Sequence, residues 1–171
     1  MRYAIRHLVR PCLLMLALLV LSGCALIEKQ SLPSGSGYDA SRRGASGSAL
    51  SVVETARSQL GVRYAWAGDS PSEGFDCSGL TYWVFRQHGV VIPRPSWEQY
   101  QVGREVGMRE LRPGDLVFFR TMATGRSLHV GIVSAPGRFI HSPKAGGVVS
   151  ESALDNVFWK RHFMGGRRLV G

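Results

Sequence analysis

The chain lacks any stretch that reads as an ordinary transmembrane helix: the apolar run from Cys12 to Leu21 falls short of the roughly 20 residues that crossing a bilayer requires. It also lacks internal repeats, which excludes a solenoid or a propeller. From about Ala49 onward no shift in composition marks a second domain. Cysteine is scarce, with residues only at positions 12, 24 and 77, and acidic side chains are the minority, 12 against 21 Lys and Arg. The resulting basic balance suits an anionic partner such as membrane headgroups or a wall polymer, and suits a merely solvated basic surface as well. No recognisable nucleic-acid-binding motif accompanies it, so nucleic acid is disfavoured as a partner.

What is present begins with a targeting pattern. Arg2, Arg6 and Arg10 lead into the apolar run, and Leu21-Ser22-Gly23-Cys24 resembles the lipobox of bacterial lipoproteins. That resemblance implies removal of residues 1–23 as a signal peptide and lipid on Cys24. Ala25, standing where an Asp would signal retention at the inner membrane, implies the periplasmic face of the outer membrane of a Gram-negative cell. Gly/Ser-rich sequence from about Leu32 to Ser48 reads as flexible, so residues 24–48 form a lipidated tether with an r.m.s. reach of roughly 25 to 30 Å. Residues 49–171 are then one domain, large enough for a core without disulfides. Loss of Arg2, Arg6 and Arg10 lowers the basic residues to 18 against 12 acidic ones, a net charge of +6. Processing also discards Cys12 and blocks Cys24, which leaves Cys77 as the sole free thiol and no intrachain disulfide possible. In an oxidising compartment a lone thiol is either a buried, inert side chain or one kept for its reactivity.

Within the domain, Ala49, Val53, Ala56 and Leu60 recur at helical spacing, with Ser48 or Ser51 as the cap, Glu54 completing a box with Ser51, and Gly61 as the stop. An irregular segment follows, in which Trp66 is expected in the core. A second helix begins at Cys77 behind Asp76 as N-cap and ends at Gly89. Leu80, Val84 and His88 share a stripe with Cys77, so the thiol faces inward; His88 is explained by the helix C-terminus. Exposed N–H groups and the positive end of the dipole at such a helix start favour thiolate over thiol, while Asp76 works partly against this. Val91 to Pro95 is an extended connector, and Ser96 to Tyr100 one short helix.

Strands are expected at Leu116–Phe119, an apolar run fit for a sheet covered on both faces, at Leu128–Val133, Arg138–His141 and Gly147–Ser150, and at Arg161–Val170, with a helical turn in Ser152–Phe158. Asp115, in a Pro-Gly-Asp turn, reads as structural. Alternation puts His129, Gly131 and Val133 on one face, and Gly131 leaves room for a helix to bring Cys77 to the imidazole. A hairpin loop of three or five residues would put His129 and His141 on the same face, whereas an even loop would separate them. Helices first and strands afterwards argue for an α+β fold with an antiparallel sheet.

Cysteine catalysis needs a thiolate, an imidazole to exchange protons with it, and a third polar group that orients the imidazole. Cys77, His129 and His141 can fill those roles. Their spacings match no common zinc pattern. The motifs Tyr64-Ala65-Trp66-Ala67-Gly68, Gly74-Phe75-Asp76-Cys77-Ser78-Gly79-Leu80, Ile92-Pro93-Arg94, Pro113 to Phe119, His129-Val130-Gly131-Ile132 and Phe139-Ile140-His141 stand in the order found in one family. Together they resemble the NlpC-type cell-wall cysteine peptidases, which have a minimal papain-like fold. The resemblance implies N-terminal helices, one carrying the nucleophile, packed on an antiparallel sheet. It implies Cys77 as nucleophile, His129 as general base, His141 as the residue that orients it, and Tyr64, Asp76 and Ser78 as shapers of the acyl pocket. The implied reaction is hydrolysis of amide bonds in peptidoglycan stem peptides, without metal or organic cofactor. Ala67 stands where the family has glycine and Pro95 where it commonly has Thr, which bears on bond preference and leaves the chemistry standing. A cell-wall-binding protein without activity, and an acyltransferase on the same fold, are the competing readings.

Overall fold

A computed structural model describes residues 48–121 and 128–171. Residues 1–47, on which the expected signal peptide, Cys24 and most of the expected tether fall, and residues 122–127 lie outside the described residues. In chain order the elements are α1 (Ala49–Arg57), β1 (Asp69–Ser70), β2 (Gly74–Phe75), α2 (Cys77–Gln87), α3 (Ser96–Gln99), β3 (Arg104–Val106), a 3₁₀ turn (Met108–Glu110), β4 (Leu116–Phe119), β5 (His129–Ala135), β6 (Arg138–His141), β7 (Ser150–Ala153), α4 (Val157–His162) and β8 (Phe163–Arg168). Six of the strands form one antiparallel sheet in the order β3-β8-β4-β5-β6-β7, and β1 and β2 make a separate two-stranded hairpin. The α+β architecture expected of the sequence is the one the chain adopts.

Period-two alternation sorts the side chains of β4 to opposite faces. Leu116 and Phe118, with Val130, Ile132 and Ile140, pack against Val52 and Ala56 of α1 and Leu80, Val84 and Phe85 of α2. Val117 and Phe119, with Val133, Phe139 and Leu154, pack on the other face against Trp159 and Phe163. All four residues of β4 are fully buried, which is why its sequence is continuously apolar. Each such side chain contributes about 1.5 to 3 kcal/mol by leaving water.

Helix α1 is capped by Ser48, whose hydroxyl accepts from the Ser51 N–H. It ends at Arg57, so Leu60 lies outside it and is 46% exposed, and Gly61 turns the chain only after the helix has closed. Helix α2 runs as expected to His88, whose Nε2 sits 2.9 Å from the Thr55 hydroxyl of α1. The later elements are displaced from their expected bounds: β7 begins at Ser150 because its pairing is set by β6, α4 begins after the cap Asn156, and β8 starts at Phe163 opposite Phe119. Strands β1, β2 and β3 carry no apolar pattern of their own, and pairing with neighbours alone makes them strands.

The β5–β6 hairpin decides the site. Its turn is the two residues Pro136 and Gly137, an even loop, yet the pairs Ile132 with Ile140 and Val133 with Phe139 are offset from the pair Ala135 with Arg138 by a bulge at Ser134. The extra residue restores the parity that the short turn would have inverted. His141 therefore falls on the same face as His129, one diagonal step away. The bulge is fastened by the Ser134 hydroxyl donating to Glu151 of β7 at 2.6 Å, with Arg138 bound to the same carboxylate at 2.7 Å.

Asp115 has the structural role its turn suggested. Its carboxylate, 2% exposed, receives Nε and Nη2 of Arg168, both at 2.7 Å, and the Arg112 N–H at 2.8 Å, so it ties the start of β4 to the end of β8. Asp115→Ala leaves the Arg168 guanidinium with only the Glu110 carbonyl and should cost about 3 kcal/mol in urea unfolding. A loss below about 1 kcal/mol would show that the pair does not hold the strands.

Candidate active site

Cys77 opens α2, and the loop before it is braced by polar contacts. Asp76 caps the helix, accepting from the Gly79 N–H at 2.7 Å. Arg94 grips the same carboxylate with Nη1 at 3.0 Å and Nη2 at 2.9 Å, and reaches the Ser78 hydroxyl at 2.9 Å and the Gly68 carbonyl at 3.2 Å. A Cβ on Gly79 would run into that Gly68 carbonyl, so the turn and the helix can close on each other only through glycine. Ala67, beside it, holds φ at 59°, a left-handed conformation that costs a residue with a Cβ about 1 kcal/mol. The turn residue that departs from the family pattern therefore keeps the glycine conformation.

The thiol points at the N-terminal end of β5, its Sγ 3.8 Å from the Leu128 carbonyl oxygen. It shares a cavity of about 150 Å³ with Tyr64, Asp76, Ser78 and His129, and Trp66 and Ser96 line the same space. Trp66 is not in the core but 84% exposed, at the wall of this cavity. The expected helix-to-imidazole approach over Gly131 does not occur. A Cβ there would meet the Ile140 carbonyl, the Phe139 ring and Cβ of His141, so the space beside Gly131 belongs to the hairpin. Cys77 comes from the face covered by α1 and α2 and His129 lies on the opposite face, so they line one cavity where the strand begins.

His129 Nε2 lies 2.8 Å from His141 Nδ1, and His141 Nε2 lies 2.9 Å from the Ser152 hydroxyl. The ring planes of the two histidines stand at 86°. For His129 to accept a proton at Nδ1 its own proton must sit on Nε2 and be donated to His141 Nδ1. His141 then carries its proton on Nε2 and donates to Ser152. One direction of donation satisfies all three residues and leaves Nδ1 of His129 as the nitrogen available to the cavity.

Burial sets the protonation states. It pushes Cys77 up to about 11, with the Asp76 charge adding to the rise, while the N–H groups of Val130, Ser78 and Cys77 itself pull the other way without prevailing. The helix start expected to lower this pKa is outweighed by loss of water. Burial also pushes His129 down to about 3, helped by His141, and His141 down to about 4. Burial, then the charges of Asp76 and Cys77, raises Tyr64. Either charge alone is costly here, whereas one proton passing from sulfur to imidazole creates two opposite charges that compensate each other. The arrangement thus stores a neutral thiol beside a neutral base.

The structure brings Cys77, His129, Tyr64, Asp76 and Ser78 to one cavity and sets His141 behind His129. Cys24 lies outside the described residues. Among the described residues no group of three or more His, Cys, Asp or Glu side chains is placed to hold a metal ion. Three participants carried no role in the sequence reading: Arg94, quoted only as part of a motif, Ser152, and Trp159, which stacks on His129 with centroids 5.2 Å apart and planes at 24°. Only Arg94 left a signal, in its place between two prolines.

A partly buried thiol lining one cavity with an oriented imidazole on an α+β scaffold defines a candidate hydrolase site. The chain belongs to the NlpC/P60 family, whose model matches residues 61–168. It is similar to the Murein DD-endopeptidase MepH of Escherichia coli, 41% identical over 115 residues, which cover 66% of this chain and 42% of that protein. It is also similar to the Probable endopeptidase NlpC of Escherichia coli, 33% identical over 165 residues, 94% of this chain and 99% of the other. Among solved structures, an NlpC/P60 family protein from Bacillus cereus superposes with a TM-score of 0.68 at 35% identity, covering 74% of this chain and 41% of that one. The chain spans between 35% and 49% of the length of several curated relatives that it matches.

The neutral histidines give stability a pH dependence. Both ordinarily titrate at 6.5 and are held well below it when folded, so below about pH 6.5 the unfolded chain binds more protons. Stability present above that pH is lost as pH falls toward about 4, by up to about 1.4 kcal/mol per unit for each histidine. Thermal unfolding midpoints should fall across this window, and His141→Asn should flatten the fall; a wild-type profile already flat would contradict buried neutral imidazoles.

Proposed function

We propose that this protein is a peptidoglycan endopeptidase that hydrolyses amide bonds in cell-wall stem peptides or crosslinks through an acyl-enzyme on Cys77. The observation that carries this reading is the hydrogen-bonded series His129–His141–Ser152 ending at the cavity that holds the only cysteine among the described residues. The names of the relatives, murein endopeptidases among them, support the substrate class. They include both DD- and DL-endopeptidases, so no particular bond is proposed.

Cys77 Sγ attacks the amide carbon as its proton moves to His129 Nδ1, and N–H groups at the head of α2 receive the carbonyl oxygen. His129, its cation stabilised by His141, returns the proton to the leaving nitrogen as the C–N bond breaks. A water then gives a proton to His129 and attacks the thioester; the C–S bond breaks, the acid departs and the thiol is restored. Tyr64, Asp76 and Ser78 wall the space beside the reacting carbon. Cys77→Ala should abolish release of fragments from purified sacculi, read by mass spectrometry, with unchanged circular dichroism. His129→Ala should cost about 10² to 10⁴ in kcat and His141→Ala less, because neighbours can partly hold the ring whereas none replaces the base. Wild-type activity in Cys77→Ala would refute the nucleophile, and equal losses in the histidine variants the division of roles.

Residues 49–171 act, in this proposal, at the end of a tether of residues 24–48 whose Cys24 carries lipid on the periplasmic face of the outer membrane, after removal of residues 1–23. Mass spectrometry of the mature N-terminus should find a diacylglyceryl-modified, acylated Cys24, and Cys24→Ala should release the protein from membranes. An unmodified Cys24 in membrane fractions would overturn the anchor.

A further inference from the structure

Helix α4 packs one partly buried side chain, Trp159, onto the second apolar cluster and against both histidines. Its indole is stacked on the His129 ring at 5.2 Å and 24°, and meets His141 edge-on at 5.0 Å and 87°. Phe119 at 4.7 Å and Phe139 at 5.2 Å press it from the sheet, so the ring is fixed from behind. The helix is held by Asn156, whose side chain accepts from the Phe158 N–H at 2.9 Å. Trp159 does not line the Cys77 cavity.

We infer that Trp159 is a positioning residue, a flat plate that fixes the plane of His129 and shuts water out of the His129–His141 hydrogen bond. The inference rests on the proposed role of His129. An imidazole bonded only through Nε2 can still swing about that contact, and a ring stacked face to face removes this freedom, keeping Nδ1 aimed at the cavity. When His129 becomes a cation the indole face also attracts it, at the moment the proton has left the sulfur. The titratable groups around His129 are Cys77 from α2, Asp76 just before it, Tyr64 across the cavity and His141 from β6; β4 and α4 present Phe119 and Trp159 to the ring.

A merely structural Trp159 would be a filler of the second apolar cluster, and replacement separates the two roles. Trp159→Phe keeps a flat face; Trp159→Leu keeps apolar bulk and loses the plate. In the full-length protein, kcat on purified peptidoglycan should stay within about threefold for Phe and fall about tenfold or more for Leu, with KM within about twofold for both. Alkylation of Cys77 by iodoacetamide, followed against pH, reads the thiol and its base without any wall substrate. Its acid limb should move to higher pH in the Leu variant, because water reaching His129 relieves the burial that keeps it neutral. Should leucine fail to pack, Trp159→Met tests the same loss of the plate with a more adaptable chain. Equal behaviour of the Phe variant and the folded aliphatic variant, or an unmoved alkylation profile, overturns the inference. Alkylation that responds as expected in a protein that releases no fragments would refute the peptidoglycan reading and leave this one standing.

Discussion

The hydrogen bond between His129 Nε2 and His141 Nδ1 depends on strand β5 being one residue longer than its partner at Ser134. Pro136 and Gly137 alone would turn β6 with the opposite parity and send the His141 side chain to the face of α1 and α2. The bulge corrects this, and Glu151 on the next strand holds it by binding both Ser134 and Arg138. A polar contact far from the thiol thus decides whether the imidazole has a partner. Ser152, the residue after Glu151, ends the same series of donors, so β7 both fastens the bulge and completes the chain of protons.

The Cys77 side of the cavity is built on a different principle. Asp76, Arg94, Ser78 and the Gly68 carbonyl form a compact set of charge-assisted hydrogen bonds around the first turn of α2. Such bonds are strong and directional, so they fix the position of Cys77 more tightly than apolar packing alone. Asp76 also raises the cost of a thiolate, which is the chemical price of that rigidity. The imidazole offsets it. Little water reaches either group, so neither is readily charged alone, whereas a proton passing between them would make two opposite charges that compensate each other.

Much was legible from residues alone because the responsible interactions are local. The Asp76 cap, the inward stripe of α2, the apolar run of β4 and the placement of His129 with Gly131 and Val133 all follow from periodicities of 3.6 and 2 and from capping chemistry. Local rules misplace Trp66, which composition assigns to the core and the structure leaves at the cavity wall, because burial of an aromatic depends on what stands opposite it. The same limit applies to Trp159. Its partners come from β4, β5 and β6, well before it in the chain, and nothing near Trp159 itself announces them.

By itself the sequence determined which chemistry the domain could hold: one thiol at a helix start, two histidines on neighbouring strands and the α+β order of elements, each specified by side chains a few positions apart. Only the tertiary structure decided how those groups act on one another. The bulge that aligns the histidines, the cavity that Cys77 and His129 share at the end of a strand and not across its face, and the rise of the thiol pKa against the pull of the helix start are consequences of long-range pairing and of water excluded by packing. Such terms depend on the whole fold surrounding a group, and no stretch of chain contains them.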